Sequence, residues 1–269
     1  MTRYSEPAPA KLNLALHVRG KLPDGRHRLE TVFAFCTDGD VIEAEVAGEL
    51  ALTVGGPFGS DISAGGDNLV MKAASVLREA AGFDGGAALH LKKRLPVASG
   101  IGGGSADAAA ALRLLTRLWS LDPAHAAAVA PKLGSDVPAC LLSMSSRGDG
   151  ARDELELLVD PRIAGTPVLL VNPRVPLSTG EVFARWDGED RGPLGDWRDG
   201  RNDLEAPAIG LVPEIDEVLG WLRGQSGADF ARMSGSGATC FALFASEAAR
   251  DDAAAAVPER WWHLATFLR

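Results

Sequence analysis

From residue 9 the chain alternates: Leu12, Leu14, Leu16 and Val18 take one set of positions, and Lys11, Asn13, Ala15 and His17 the other. Successive side chains of an extended chain point to opposite faces, so this repeat of two predicts a half-buried strand. The turn signal PDGRH (23–27) separates it from a second strand, ETVFAF, and DVIEAEV and LALTV extend an antiparallel set. After Gly65 and Gly66 the period changes, and NLVMKAASVLREAAG reads as an amphipathic helix closed by Gly82. AALHLKKRL alternates again and stops at Pro96. Past a run of glycines, SADAAAALRLLTRLWSL puts Ala108, Leu112, Leu115 and Trp119 at helical spacing, with Ser105 as the expected N-cap.

The polar stretch SSRGDGARDE (145–154) marks an expected boundary between two domains, 1–152 and 153–269. Beyond it TPVLLVNP reads as a buried strand, EVFARW as a short element and GPLGDWRDGRND as loop. IDEVLGWLRGQ predicts a helix ending near Gly224 and Gly227, ARMSGSGATCFALF a loop followed by a strand, and the alanine-rich 247–256 stretch a helix. Sheets and helices mixed in this way make an α+β chain, in two lobes.

Composition narrows the function classes. The 269 residues are 46% hydrophobic and carry a net charge of −9, so a broad basic face for nucleic acid is excluded and any anionic ligand must be held by local donors. No apolar run approaches the roughly 20 residues of a membrane span, and the N-terminal stretch MTRYSEPAPAKLNLAL lacks the apolar core of a signal peptide. Cys36, Cys140 and Cys240 form no C-x-x-C pair and the five histidines show no zinc spacing, which suits reduced, buried thiols in a cytoplasmic protein.

The chemistry concentrates at 96–107, PVASGIGGGSAD, with four glycines in five positions between a strand and a helix start. The first N–H groups of a helix lack intrahelical partners and sit at the positive end of its dipole. Glycines clear the side chains that would keep phosphate oxygens away from them. The loop is not a Walker A sequence, because no Lys-Ser/Thr follows its last glycine, and the dinucleotide fingerprint fails because its third glycine falls on Ser105. Lys11 and Asn13 neighbour each other on the polar face of the first strand, as a solvated face or as a site. Asp136, before Val137-Pro138, suits either a helix N-cap or a catalytic acid.

The loop resembles the second motif of the galactokinase, homoserine kinase, mevalonate kinase and phosphomevalonate kinase superfamily, P-x-x-x-G-L-G-S-S-A. The extra glycine before the serine is similar to the branch acting on a cytidine diphosphate-linked methylerythritol, where the loop reads G-L-G-G-G-S-S. P-A-K-L-N-L at 9–14, D-G-x-H at 24–27, L-G-S-D-V-P at 133–138, R-N-D-L-E at 201–205 and M-S-G-S-G-A at 233–238 complete a series in family order. The resemblance implies a ribosomal protein S5 domain 2-like N-terminal lobe, a ferredoxin-like C-terminal lobe and an active site between them. It implies transfer of a phosphoryl group from ATP, with Mg²⁺, to the 2-hydroxyl of that small-molecule substrate in the non-mevalonate isoprenoid pathway, with no nucleic acid or membrane partner.

Carried over residue by residue, the resemblance makes Lys11 and Asp136 catalytic. Pro96, Val97, Ala98, Ser99, Gly100, Ile101, Gly102, Gly103, Gly104, Ser105 and Ala106 would hold ATP, with Asn68 and Lys93 near the nucleotide. Asn13, His27, Thr179 and Phe183 would bind substrate, Phe183 and a second aromatic sandwiching the cytosine. Arg26 stands where that second aromatic, a tyrosine, is usual, and its planar guanidinium can stack on a base and attract a diphosphate. Ala106 replaces the loop's second serine, which leaves the Mg²⁺ ligands unassigned. Segment 234–239 is expected to fold back beside the loop, Gly235 and Gly237 permitting close approach. No mechanism attaches to R-N-D-L-E. A sibling kinase with another acceptor is disfavoured by His27, Phe183 and the triple glycine, and a non-catalytic binder by retention of Lys11 and Asp136.

Overall fold

The computed structural model describes residues 3–23, 25–150 and 154–269. Asp24 of the D-G-x-H motif and the expected 152/153 boundary lie outside the described residues. The first half comprises β1 (Tyr4–Lys21), β2 (His27–Ala47), β3 (Ala51–Gly55), α1 (Leu69–Ala80), β4 (Gly86–Lys92), α2 (Gly103–Leu118), α3 (Pro123–Leu133) and α4 (Val137–Leu142). It is followed by β5 (Ser146–Asp149), β6 (Glu154–Leu157), β7 (Pro167–Asn172), α5 (Thr179–Ala184) and α6 (Glu205–Ile209). The chain ends with α7 (Glu214–Arg223), β8 (Ala228–Met233), β9 (Cys240–Phe244), α8 (Glu247–Ala255) and β10 (Trp262–Phe267).

These elements form two compact units interleaved in sequence, because the long strands β1 and β2 each run through both. The first unit takes residues 1–10, 38–97 and 102–143. In it the second half of β2 pairs antiparallel with β4, from Val41↔Lys92 to Ala47↔Gly86, and β3 lies parallel to β4. Helix α1 starts at Asn68, whose Oδ1 accepts a hydrogen bond from the Val70 N–H, and packs with α2 and α3. Ile42, Leu77, Leu91, Leu112 and Leu115 fill the core. Most of α2 is buried, and its run of alanines lets neighbouring helices come close. It begins earlier than expected: Gly102 is the N-cap, in a left-handed conformation (φ 67°), and Ser105 lies inside the first turn. A glycine can turn the chain there without the Cβ penalty that an Ser cap offsets only by a side-chain hydrogen bond.

The second unit takes residues 11–37, 98–101 and 144–269. The first half of β2 pairs antiparallel with β5, and β5 with β6. A separate four-stranded antiparallel sheet has the order β10-β7-β9-β8. Taken along the chain its strands stand fourth, first, third and second, and helices intervene between β7 and β8 and between β9 and β10. That is the split βαββαβ, ferredoxin-like arrangement. Helix α7 buries Ile215, Val218, Leu219 and Leu222, the spacing of a single apolar face, in the core with Leu169, Val171 and Phe244. Ala231, Arg232 and Met233, expected in a loop, pair with Ala242, Phe241 and Cys240 and so belong to β8.

Candidate active site

The glycines at 100–104 answer to different constraints. Gly100 has φ +77°, and a Cβ there would stand 2.5 Å from the Ser234 carbonyl oxygen and 2.6 Å from that of Gly237. Only a glycine fits. Segment 234–239 is folded back beside residues 98–101, as its glycines suggested. The Ser234 hydroxyl donates to Gly100 O (3.0 Å) and accepts from Asn13 N (3.1 Å), and Thr239 N donates to Ser99 O (3.1 Å). Lys11 N donates to Ile101 O (2.9 Å), which ties the loop to β1. In the first unit Gly102 supplies the left-handed cap, and a Cβ on Gly103 would lie 2.9 Å from Lys93 Nζ. Gly104 differs: it is exposed, its φ is ordinary, and a Cβ on it would meet no described atom within 4 Å beyond its chain neighbours and its own helix backbone. Nothing in the protein requires that glycine, although in a helix interior it costs about 1 kcal/mol relative to alanine.

The polar face of β1 is not solvated. Residues 8–18 are buried on both faces, with Lys11 and Asn13 each 3% exposed. Lys11 Nζ donates to Asn13 Oδ1 (2.7 Å), Asn13 Nδ2 to Thr31 Oγ1 (2.8 Å), and Thr31 Oγ1 to Ala15 O (2.6 Å). The Lys11 ammonium also lies 5.6 Å from the Phe33 ring centre, close enough for a cation–π attraction. Each group in this chain is oriented by the next, so the ammonium is held in a dry place by a fixed amide.

R-N-D-L-E supports this frame. Asn202 Nδ2 donates to Met233 O and Gly235 O (2.8 Å each), its Oδ1 accepts from Leu204 N, and Asp203 Oδ2 accepts from Val18 N (2.8 Å). Glu205 Oε2 accepts from Met233 N (3.1 Å). The motif therefore clamps β1 and segment 233–235 by satisfying backbone groups that would otherwise be unpaired.

His27 stacks on Phe183 with ring centres 4.6 Å apart and meets the edge of Trp186 at 5.6 Å. Burial, with Lys21 nearby, lowers its pKa from the ordinary 6.5, so the ring is neutral at pH 7. Its Nε2 is buried and has no hydrogen-bond partner among the described residues. Thr179, which opens α5, shares a hydrogen bond with Ser236 (2.9 Å). Arg26 is exposed, its carbonyl accepting from Leu22 N in the turn. Trp186 is an aromatic that the sequence reading missed. The available signal was its position three residues after Phe183, one helical turn on.

Lys93 is not a surface residue. Its ammonium is buried between Asp40 Oδ2 and Asp107 Oδ2, the latter at 2.8 Å. Burial opposes the charge of Lys93, but Asp107 and Asp40 outweigh it and hold its pKa above the ordinary value. Burial pushes the Asp107 carboxyl up to about 7, against the pull of Lys93. Asn68 spends its side chain on the α1 cap and on Ser63 O. Asp136 does occupy the N-cap of α4, but its carboxylate makes no cap hydrogen bond. Among the described residues no group of three or more His, Cys, Asp or Glu forms a candidate metal cluster.

The described geometry thus brings together Lys11 with Asn13, His27 with Phe183, Thr179 with segment 234–239, and Lys93 with the start of α2. The family description "GHMP kinases N terminal domain" matches residues 68–144, and "GHMP kinases C terminal" matches 188–263. The 4-diphosphocytidyl-2-C-methyl-D-erythritol kinase of Rhizorhabdus wittichii is 52% identical, over 98% of this chain and 94% of its own. The enzyme of that name from Novosphingobium aromaticivorans is also 52% identical, over 98% of this chain and 92% of its own. A crystal structure of 4-(cytidine 5'-diphospho)-2C-methyl-D-erythritol kinase superposes with a TM-score of 0.83 at 34% identity, covering 98% of this chain and 99% of that one. The chain therefore belongs to the GHMP kinases, a family of small-molecule kinases, and within them to the 4-diphosphocytidyl-2-C-methyl-D-erythritol kinases.

Proposed function

We propose that this chain transfers the γ-phosphoryl group of ATP to the 2-hydroxyl of 4-diphosphocytidyl-2-C-methyl-D-erythritol, in the cytoplasm and as a step of isoprenoid synthesis. The names of its relatives support the substrate. The observation that carries the chemistry is Gly104, exposed and bare at the start of α2, on a loop whose Ile101 carbonyl is bonded to the backbone of Lys11. A glycine that no protein contact demands, at the positive end of a 16-residue helix, leaves backbone N–H groups open to a phosphate.

Phosphoryl transfer needs mainly positioning and neutralised charge. Lys11, desolvated and aimed by Asn13, stabilises the acceptor oxygen as it loses its proton and offsets charge on the transferring group. Asp136, at the N-cap of α4, orients and accepts that proton. His27 meets the cytosine edge with the Nε2 that has no partner among the described residues, and Phe183 supplies a stacking face. Asn13 and Thr179 position the substrate, and the Arg26 guanidinium attends its diphosphate. Loop 96–106 holds ATP with Asn68 beside the nucleotide, and Lys93 acts through its buried ion pairs with Asp40 and Asp107 to fix the helix start behind the loop, so that 1–152 acts as the ATP-binding lobe and 153–269 as its companion. Mg²⁺ would enter with ATP, held by phosphate oxygens, with the Ser105 hydroxyl or water completing its coordination. When bound it neutralises phosphate charge.

The test is ADP release by purified protein with Mg·ATP, offered the cytidylyl substrate beside homoserine and mevalonate. Turnover on the cytidylyl compound alone is the expected result. Turnover only on another acceptor would overturn the substrate assignment, and tight binding without turnover would overturn the catalytic one.

A further inference from the structure

A cavity of about 450 Å³ lies in the second unit, walled by the end of α5, the loop that follows it and α6. Its size is that of a small-molecule site. Arg185, Arg191 and Arg201 line it against the carboxylates of Asp187 and Asp203, a local positive excess in a chain of net charge −9.

The hydrogen-bond accounting is one-sided. The acceptors are engaged: Asp203 takes Val18 N (2.8 Å) and Arg201 Nε (2.6 Å), Asp187 takes Arg191 and Glu189 N (3.0 Å), and Gly210 O takes Arg185 Nη1 (3.2 Å). The donors are not. Among the described residues Nε and Nη2 of Arg185 and Nη1 of Arg201 have no acceptor, and Arg185 has no carboxylate partner. The buried Nε1 of Trp186, in the same wall, has none either. Arg201 is moreover locked in place, because the carboxylate that holds it is 1% exposed. A cavity with spent acceptors, the open donors of an exposed Arg185, a fixed Arg201 and an indole wall selects an anion with several oxygens.

We propose that this cavity is a second ligand site, taking a small organic phosphate or diphosphate whose charged end meets Arg185 and Arg201 and whose organic part lies along Trp186. Trp186 also meets the edge of His27, so an occupant is in contact with the cluster assigned to the base. That link alone rests on the proposed function; binding in the cavity does not.

The experiment is calorimetric titration of the full chain with inorganic pyrophosphate, with a non-hydrolysable ATP analogue already saturating the phosphate loop. Wild type is expected to bind one equivalent. Arg185→Gln and Arg201→Gln each weaken binding, and the double variant by about tenfold or more, as loss of a charge-assisted contact requires, with Arg185→Gln leaving the melting temperature unchanged. Trp186→Phe is expected to abolish a fluorescence response to pyrophosphate. Binding that persists unchanged in the double variant, or no binding at millimolar pyrophosphate, overturns the proposal. Variant-sensitive pyrophosphate binding by a protein that fails to turn over the cytidylyl substrate would overturn the proposed function and leave this site standing.

Discussion

Gly104→Ala adds one methyl group to the first turn of α2, at a point where it meets no described atom within 4 Å beyond its chain neighbours and its own helix backbone. Two arguments then predict opposite effects on stability and on binding. In a helix interior alanine is favoured over glycine by about 0.8–1 kcal/mol, and near a helix end by roughly half of that. Spread over a chain of this size, a gain of about 0.5 kcal/mol raises the melting temperature by roughly 1–2 °C. If the bare backbone is reserved for phosphate, the same methyl group displaces ATP from a charge-assisted contact of about 1.5–3 kcal/mol. That is a rise in the KM for ATP of roughly ten- to a hundredfold. The assays are a thermal melt without ligand and ADP release at varied Mg·ATP. A raised melting temperature with an ATP KM within about twofold of wild type would refute the reservation argument. Gly100→Ala is the control: at φ +77°, with a carbonyl 2.5 Å from the new Cβ, it is expected to lose stability. The left-handed backbone alone costs about 1–2 kcal/mol.

Three other outcomes follow from the same structure. Asp136→Asn is expected to fold while kcat falls by about 10²–10⁴; normal turnover in a folded variant removes it from the base role. His17, buried and accepting from Arg201 N at Nε2 while Nδ1 faces Gly192 O, has its pKa lowered from 6.5, burial being the main cause. The unfolded chain therefore binds the extra proton first as pH falls below about 6.5, so urea stability drops there, and more in wild type than in His17→Gln. Arg232→Met should cost about 2–4 kcal/mol in urea unfolding, because Arg232 donates to the carbonyls of Leu14, Trp197 and Gly200, which it would leave unpaired.

What could be read ahead of the structure divides by range of interaction. The neighbourhood of Lys11 and Asn13 was legible because a strand's period of two is local and independent of what covers it. Their burial was not. The cover comes from Thr31, 18 residues beyond Asn13, and Ser234, 221 residues beyond it, and no pattern within β1 reports either. The start of α2 was misplaced for a related reason. Serine is the better cap by intrinsic preference, but the strand-to-helix turn at Gly102 is left-handed, a conformation that favours glycine. R-N-D-L-E was visible as a motif and silent as chemistry, since an Asn that pairs two carbonyls some 30 residues away has no local signature. Trp186 makes the same point from the other side. The tyrosine expected at position 26 is absent, yet an indole from α5's end reaches His27, so an aromatic beside that ring is supplied by a distant segment. Residues proposed to touch substrate were therefore easier to name than the residues that hold them, because chemistry restricts the side chain itself whereas support can come from any part of the chain.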